Sequence, residues 1–107
     1  MNLKNLLEDA PNDSTEELVE NILSGNHFRM ERIISNGQAS PKGFWYDQDQ
    51  NEWVLVLKGK GGLMFEGSKD IIEMNPGDYI HIPAHRRHRV AWTDTARETI
   101  WLAVHYD

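Results

Sequence analysis

The chain contains no cysteine. That excludes disulfides and thiolate metal sites, and it fits a reducing compartment, so a cytoplasmic location is expected. Basic residues are scarce: 11 lysines and arginines against 17 acids leave a formal charge of -6. Such a background repels phosphate backbones, and the one local basic run, Arg86, Arg87 and Arg89, is too small to reverse it. No nucleic-acid partner is expected. Long hydrophobic runs are missing too. The opening MNLKNLLEDAPND has one lysine and a short apolar stretch before acids appear, so neither a signal peptide nor a membrane partner is expected. There is no internal repeat, low-complexity tract, serine-hydrolase signature or phosphate-cradling glycine loop.

What is present is an ordinary globular composition, with 39% hydrophobic and 26% charged residues over 107 positions. This is enough for one domain with a real core. Leu3, Leu6 and Leu7 have helical spacing, and Pro11 follows, which predicts a short helix over Asn2–Ala10. Residues 1–15 are therefore expected to be an N-terminal helix and linker. The remainder, 16–107, is expected to be a β-barrel.

The barrel expectation rests on turn clusters such as Ser24-Gly25-Asn26, Ser35-Asn36-Gly37, Gly59-Lys60-Gly61-Gly62, Gly67-Ser68-Lys69 and Asn75-Pro76-Gly77-Asp78. Between them lie eight strand candidates: 18–23, 27–34, 52–58, 63–66, 70–74, 79–83, 88–92 and 99–106. Trp53 to Leu57 is apolar at every position, which predicts a central strand covered on both faces. In the last candidate, Ile100, Leu102 and Val104 fall on one side, with Trp101 and Ala103 on the other.

Two motifs add to this. GDYIHIPAHRRH places Gly77, five residues, Pro83 and then His88; EWVLVLKG places Glu52, six residues and Gly59. Together, in order, they resemble the two conserved motifs of the cupin family over roughly residues 35–105. The resemblance implies an all-β fold, the double-stranded β-helix or jelly-roll barrel. It also implies a homodimer, in which apolar edge strands are safer paired than bare. His85 stands where the family usually has glycine, and histidine is among the residues enriched at positive φ.

The family's full metal site has His-x-His before the glutamate, whereas FWYDQDQNE carries no histidine. Tyr46 and Gln48, or else Trp45 and Asp47, take those positions. Glu52 and His88 are expected to share one cavity. The metal-ligand candidates are Glu52, His88, Gln48 and Asp47, for zinc, iron, nickel or manganese, or for no metal at all. The ligand-binding candidates are Tyr46, Gln48, Glu52, His88 and Trp92. His27, His81, His85 and His105 read as surface or strand-end residues, and a second cavity imidazole would require His81 or His105 to turn inward. Arg86, Arg87 and Arg89 read as solvated, with Arg89 opposite to His88 and so outside.

Two functions follow from the resemblance and these departures. One is a barrel that binds a small metabolite, a sugar or an organic acid, around a degenerate metal site. The alternative is a metal-dependent enzyme of the isomerase or dioxygenase type.

Overall fold

The protein's structure, a computed structural model, describes residues 2–8 and 16–107. Eight strands follow in order: β1 (Leu18–Ser24), β2 (Phe28–Ser35), β3 (Asn51–Lys58), β4 (Gly61–Phe65), β5 (Ile71–Met74), β6 (Tyr79–Ile82), β7 (His88–Thr93) and β8 (Thr99–Tyr106). Each expected strand forms, because the clusters of glycine, asparagine and proline break the ladder where the sequence says they must. All pairings are antiparallel and make two sheets, β1-β2-β8-β3-β6 and β5-β4-β7. They pack face to face as a jelly roll, with a core of Val54, Val56, Leu63, Met74, Ile82, Trp101 and Ala103. Among the described residues, no helix is long and apolar enough to cross a membrane.

The predicted N-terminal helix is not there in residues 2–8, and residues 9–15 lie outside the described part. The backbone makes a turn instead. The Asn5 side chain accepts from Leu7 N at 2.7 Å, and Glu8 N donates to Asn5 O at 3.2 Å. Two carbonyls that a helix would use internally, those of Leu6 and Glu8, accept from Arg32 Nη1 at 3.1 and 2.8 Å. The leucine spacing finds no apolar surface to bury: Leu3 is fully exposed and Leu7 half exposed.

β3 is central, between β8 and β6, as predicted, but it is not covered equally on both faces. Glu52, Val54 and Val56 are buried on the inner face, whereas Trp53 and Leu55 remain half-buried outside.

Register places the inner-face residues in rungs. Arg29, His105, Glu52 and Ile82 are direct partners across β2, β8, β3 and β6. The next rung is Glu31, Ala103, Val54 and Ile80, and the one after it is Ile33, Trp101 and Val56. A polar rung therefore sits above an apolar floor on one sheet face. At Gly61 the second sheet closes onto that floor, since a Cβ there would lie 2.5 Å from the Trp101 ring. Only glycine allows this approach.

Candidate functional site

A cavity of about 320 Å³ opens between the sheets at the polar end of these rungs. Its lining includes four of the sequence-predicted residues, Tyr46, Gln48, Glu52 and His88, together with three that were not predicted, Arg29, Glu31 and His105.

His88 enters from β7, held by reciprocal backbone hydrogen bonds with Tyr46: Tyr46 N donates to His88 O at 2.7 Å, and His88 N to Tyr46 O at 3.2 Å. The two rings stack with centroids 5.5 Å apart. His88 Nδ1 lies 2.9 Å from the Arg86 carbonyl and donates to it, which turns Nε2 toward Glu52 Oε1 at 3.5 Å. That separation is at the outer limit of a hydrogen bond. Burial by itself pushes the His88 pKa down, but the Glu52 carboxylate and the Arg86 carbonyl outweigh it, and the net shift is upward. Burial raises the Tyr46 hydroxyl pKa, Glu17 and Glu52 raise it further, and Ser40 opposes them.

A second imidazole–carboxylate pair faces the same space. His105, expected near the surface, is only 4% exposed, and its Nε2 lies 3.2 Å from Glu31 Oε1. Alternation along β8 puts it on the same side as Trp101 and Ala103, and the β2–β8 pairing brings Glu31 beside it. Arg29, at the rim, donates to Gln50 Oε1 at 2.5 Å, with its Nε 3.7 Å from Glu31 Oε2. Glu17 is fixed on the wall by a relay: Trp101 Nε1 donates to Ser35 Oγ at 3.2 Å, and Ser35 Oγ donates to Glu17 Oε2 at 2.6 Å.

Two buried atoms in this cavity, Glu52 Oε1 and His105 Nδ1, lack a hydrogen-bond partner. Leaving such a group unpaired costs about 1–3 kcal/mol, and both belong to residues that line the cavity.

Other predicted residues fall elsewhere. Trp92 is not in the cavity lining. The β4–β7 register shifts between Gly62 and Leu63, so that Trp92 pairs with Gly62 while Val90 pairs with Leu63. The bulge turns the indole over the outer side of Gly62, beside Ile71. Asp47 also turns away, accepting from His85 Nδ1 at 2.8 Å. His85 adopts φ 64, and its N donates to Gln48 O at 2.8 Å, which ties the two motif turns together. His81 meets the Tyr106 hydroxyl at 2.6 Å on the outer face, and His27 pairs with Asp107. Arg86 lies over the Phe65 ring, Arg87 pairs with Glu66, and Arg89 bonds the Ser40 carbonyl; none of the three lines the cavity.

Of the two alignments of the first motif, Tyr46 and Gln48 line the cavity, whereas Trp45 and Asp47 do not. The donor set is then one carboxylate, one imidazole and a neutral amide. Among the described residues, no three of His, Cys, Asp or Glu come close enough together to hold an ion. Glu52 and His88 keep half of the family's ligand set, which does not fit a tightly held transition metal.

Comparison with known proteins agrees with this architecture. Residues 32–105 match the Cupin domain family. Over 76 residues the chain is 33% identical to a glucose-6-phosphate isomerase of Thermococcus litoralis, a match that spans 67% of this chain but only 40% of that protein. A crystal structure from Ralstonia eutropha, described as a candidate mannose-6-phosphate isomerase, is 51% identical with a TM-score of 0.94, covering 99% of this chain and 98% of that one. A cupin superfamily protein of Desulfitobacterium hafniense shares the fold at 16% identity, with a TM-score of 0.72 over 99% of this chain and 98% of that one. On the motifs, the barrel and the family match together, this chain belongs to the cupin family.

Proposed function

We propose that this chain is a sugar-binding cupin barrel whose cavity takes a ligand the size of a monosaccharide. The observation that carries the reading is the two-sided lining. Glu52, His88 and His105 form a polar wall above Val54, Ile82 and Trp101, so hydroxyl edges find acceptors and the carbon-bound face of a ring finds apolar surface. The volume of about 320 Å³ is in the range of small-ligand sites. The two relatives named for sugar isomerisation support the same ligand class. Thermal-shift measurement against a panel of aldoses and ketoses tests it. A ligand at ten times its Kd raises Tm by about 5 °C or more. No shift and no heat of binding with any sugar sinks the proposal.

One observation favours a catalytic reading beside it. Glu52 Oε1 is buried, lacks a hydrogen bond, and lies against an imidazole whose pKa is raised. In an open-chain aldose, Glu52 would remove the proton on the carbon next to the carbonyl and return it to the carbonyl carbon. His88 would protonate the carbonyl oxygen and recover a proton from the neighbouring hydroxyl. The exchange is redox-neutral and moves two hydrogens within the sugar. Deuterium entering from solvent at those carbons, and lost in Glu52→Gln, is the expected signature. A sugar that binds but never exchanges leaves a binding protein.

A further inference from the structure

The cavity is acidic. Among the described residues lining it, Glu17, Glu31 and Glu52 stand against Arg29 alone as a permanent cation. That cation is already engaged, by Gln50 at 2.5 Å and by Glu31 at 3.7 Å. A phosphate entering here would find one guanidinium, its charge already offset by Glu31, and would meet three carboxylates on the wall.

The unpartnered atoms point the same way. In the tautomer that donates Nε2–H to the Glu31 carboxylate, His105 Nδ1 is a lone pair; Glu52 Oε1 is an acceptor in any case. His88 Nδ1–H is held by the Arg86 carbonyl, which turns its Nε2 to the Glu52 carboxylate. Glu52 and His105 are direct partners on β3 and β8, with side chains on the same face. At such positions the Cβ atoms are about 5 Å apart. Both acceptors are closed off from solvent in the free chain, so a polyol would meet them by turning the Glu52 carboxylate and the His105 ring outward. Its neighbouring hydroxyls could then donate to both; a phosphoryl group, which brings only acceptors when ionised, can satisfy neither.

We propose that the barrel selects an uncharged polyol, a free monosaccharide or sugar alcohol, whose adjacent hydroxyls donate to Glu52 and His105, and that Glu17 and Glu31 exclude its phosphorylated form. The inference rests on the sugar-binding reading above and sets this chain apart from the two relatives named for sugar phosphates.

The test is isothermal titration of the full chain, at neutral pH and low salt, with glucose, mannose and fructose and with their 6-phosphates. Glu31→Gln and Glu17→Gln are measured beside the parent; each keeps an oxygen acceptor while removing one charge, and either suffices if the other fails to fold. The expected result is a free sugar that binds at least about tenfold more tightly than its phosphate, with the margin narrowing by about tenfold in each variant. A 6-phosphate that binds as well as or better than the free sugar overturns the selectivity while leaving sugar binding intact. If no sugar of either kind binds, the sugar-binding reading falls and takes this inference with it.

Discussion

Two imidazole–carboxylate pairs share the cavity, and they are built differently. Glu52 and His88 come from opposite sheets, and their meeting depends on the barrel closing. Glu31 and His105 come from adjoining strands of one sheet, and their meeting depends only on the β2–β8 register. Their surroundings differ as well. The Glu52 side chain is 11% exposed and that of Glu31 20%, so water can replace a lost partner more easily in the second pair. The first pair thus bridges the two sheets, while the second lies within one of them.

The largest effect should come from His88→Ala, which leaves a buried carboxylate unpaired at the junction of the sheets. A loss of about 1–3 kcal/mol is expected, seen in thermal melts as a fall of roughly 5–15 °C, together with loss of sugar binding. A melting temperature within a degree of the parent would show that the first pair does not help hold the sheets together. His105→Phe keeps the volume but removes the acceptor, and its cost should be about 1 kcal/mol or less, with sugar affinity falling about tenfold in titrations. Equal stability losses in the two variants would erase the distinction between the pairs.

A third measurement uses pH. Because the folded-state pKa of His88 is raised, its contribution to stability is fully present below the unfolded value of about 6.5 and is lost as pH climbs through the folded value. The Tm difference between the parent and Glu52→Gln should therefore be widest near pH 5.5 and shrink by a few degrees toward pH 8.5; the opposite slope would mean that Glu52 does not hold the imidazolium. Arg86 and Tyr46 also face this ring and remain unchanged in the comparison. The smallest effect belongs to Asp47→Ala, which removes an exposed pair with His85. Stability should move by no more than about 0.5 kcal/mol, and sugar affinity not at all. Loss of binding there would return Asp47 to the site.

The first pair was legible in the sequence and the second was not, for a physical reason. Glu52 and His88 stand beside turn glycines and prolines whose spacing marks where each strand begins, so their neighbourhood is local. Glu31 and Arg29 reach the cavity only through a register between β2 and β8, strands separated by more than half the chain, and no local residue pattern encodes that pairing. His105 was half legible: the alternation that puts Trp101 and Ala103 inside puts it there too, but a histidine near a strand end reads as polar surface. Trp92 shows the converse. Simple alternation places it with His88 and Val90, and one bulge in β7 moves it to the other face. Asp47 was left open by a one-residue ambiguity in the motif spacing that only the folded loop resolves. The N-terminal leucines carried a helical period without an apolar surface to receive it, and Asn5 offered the backbone a turn instead.

Gly61 carries a last consequence. Because the Trp101 ring rests against its bare Cα, the depth of the pocket is governed by a residue with no side chain. One methyl added there would press on the indole, and through the hydrogen bonds from Trp101 to Ser35 and from Ser35 to Glu17 it would also disturb a carboxylate on the wall. The depth of the compartment and the charge at its rim are thus linked through a single indole.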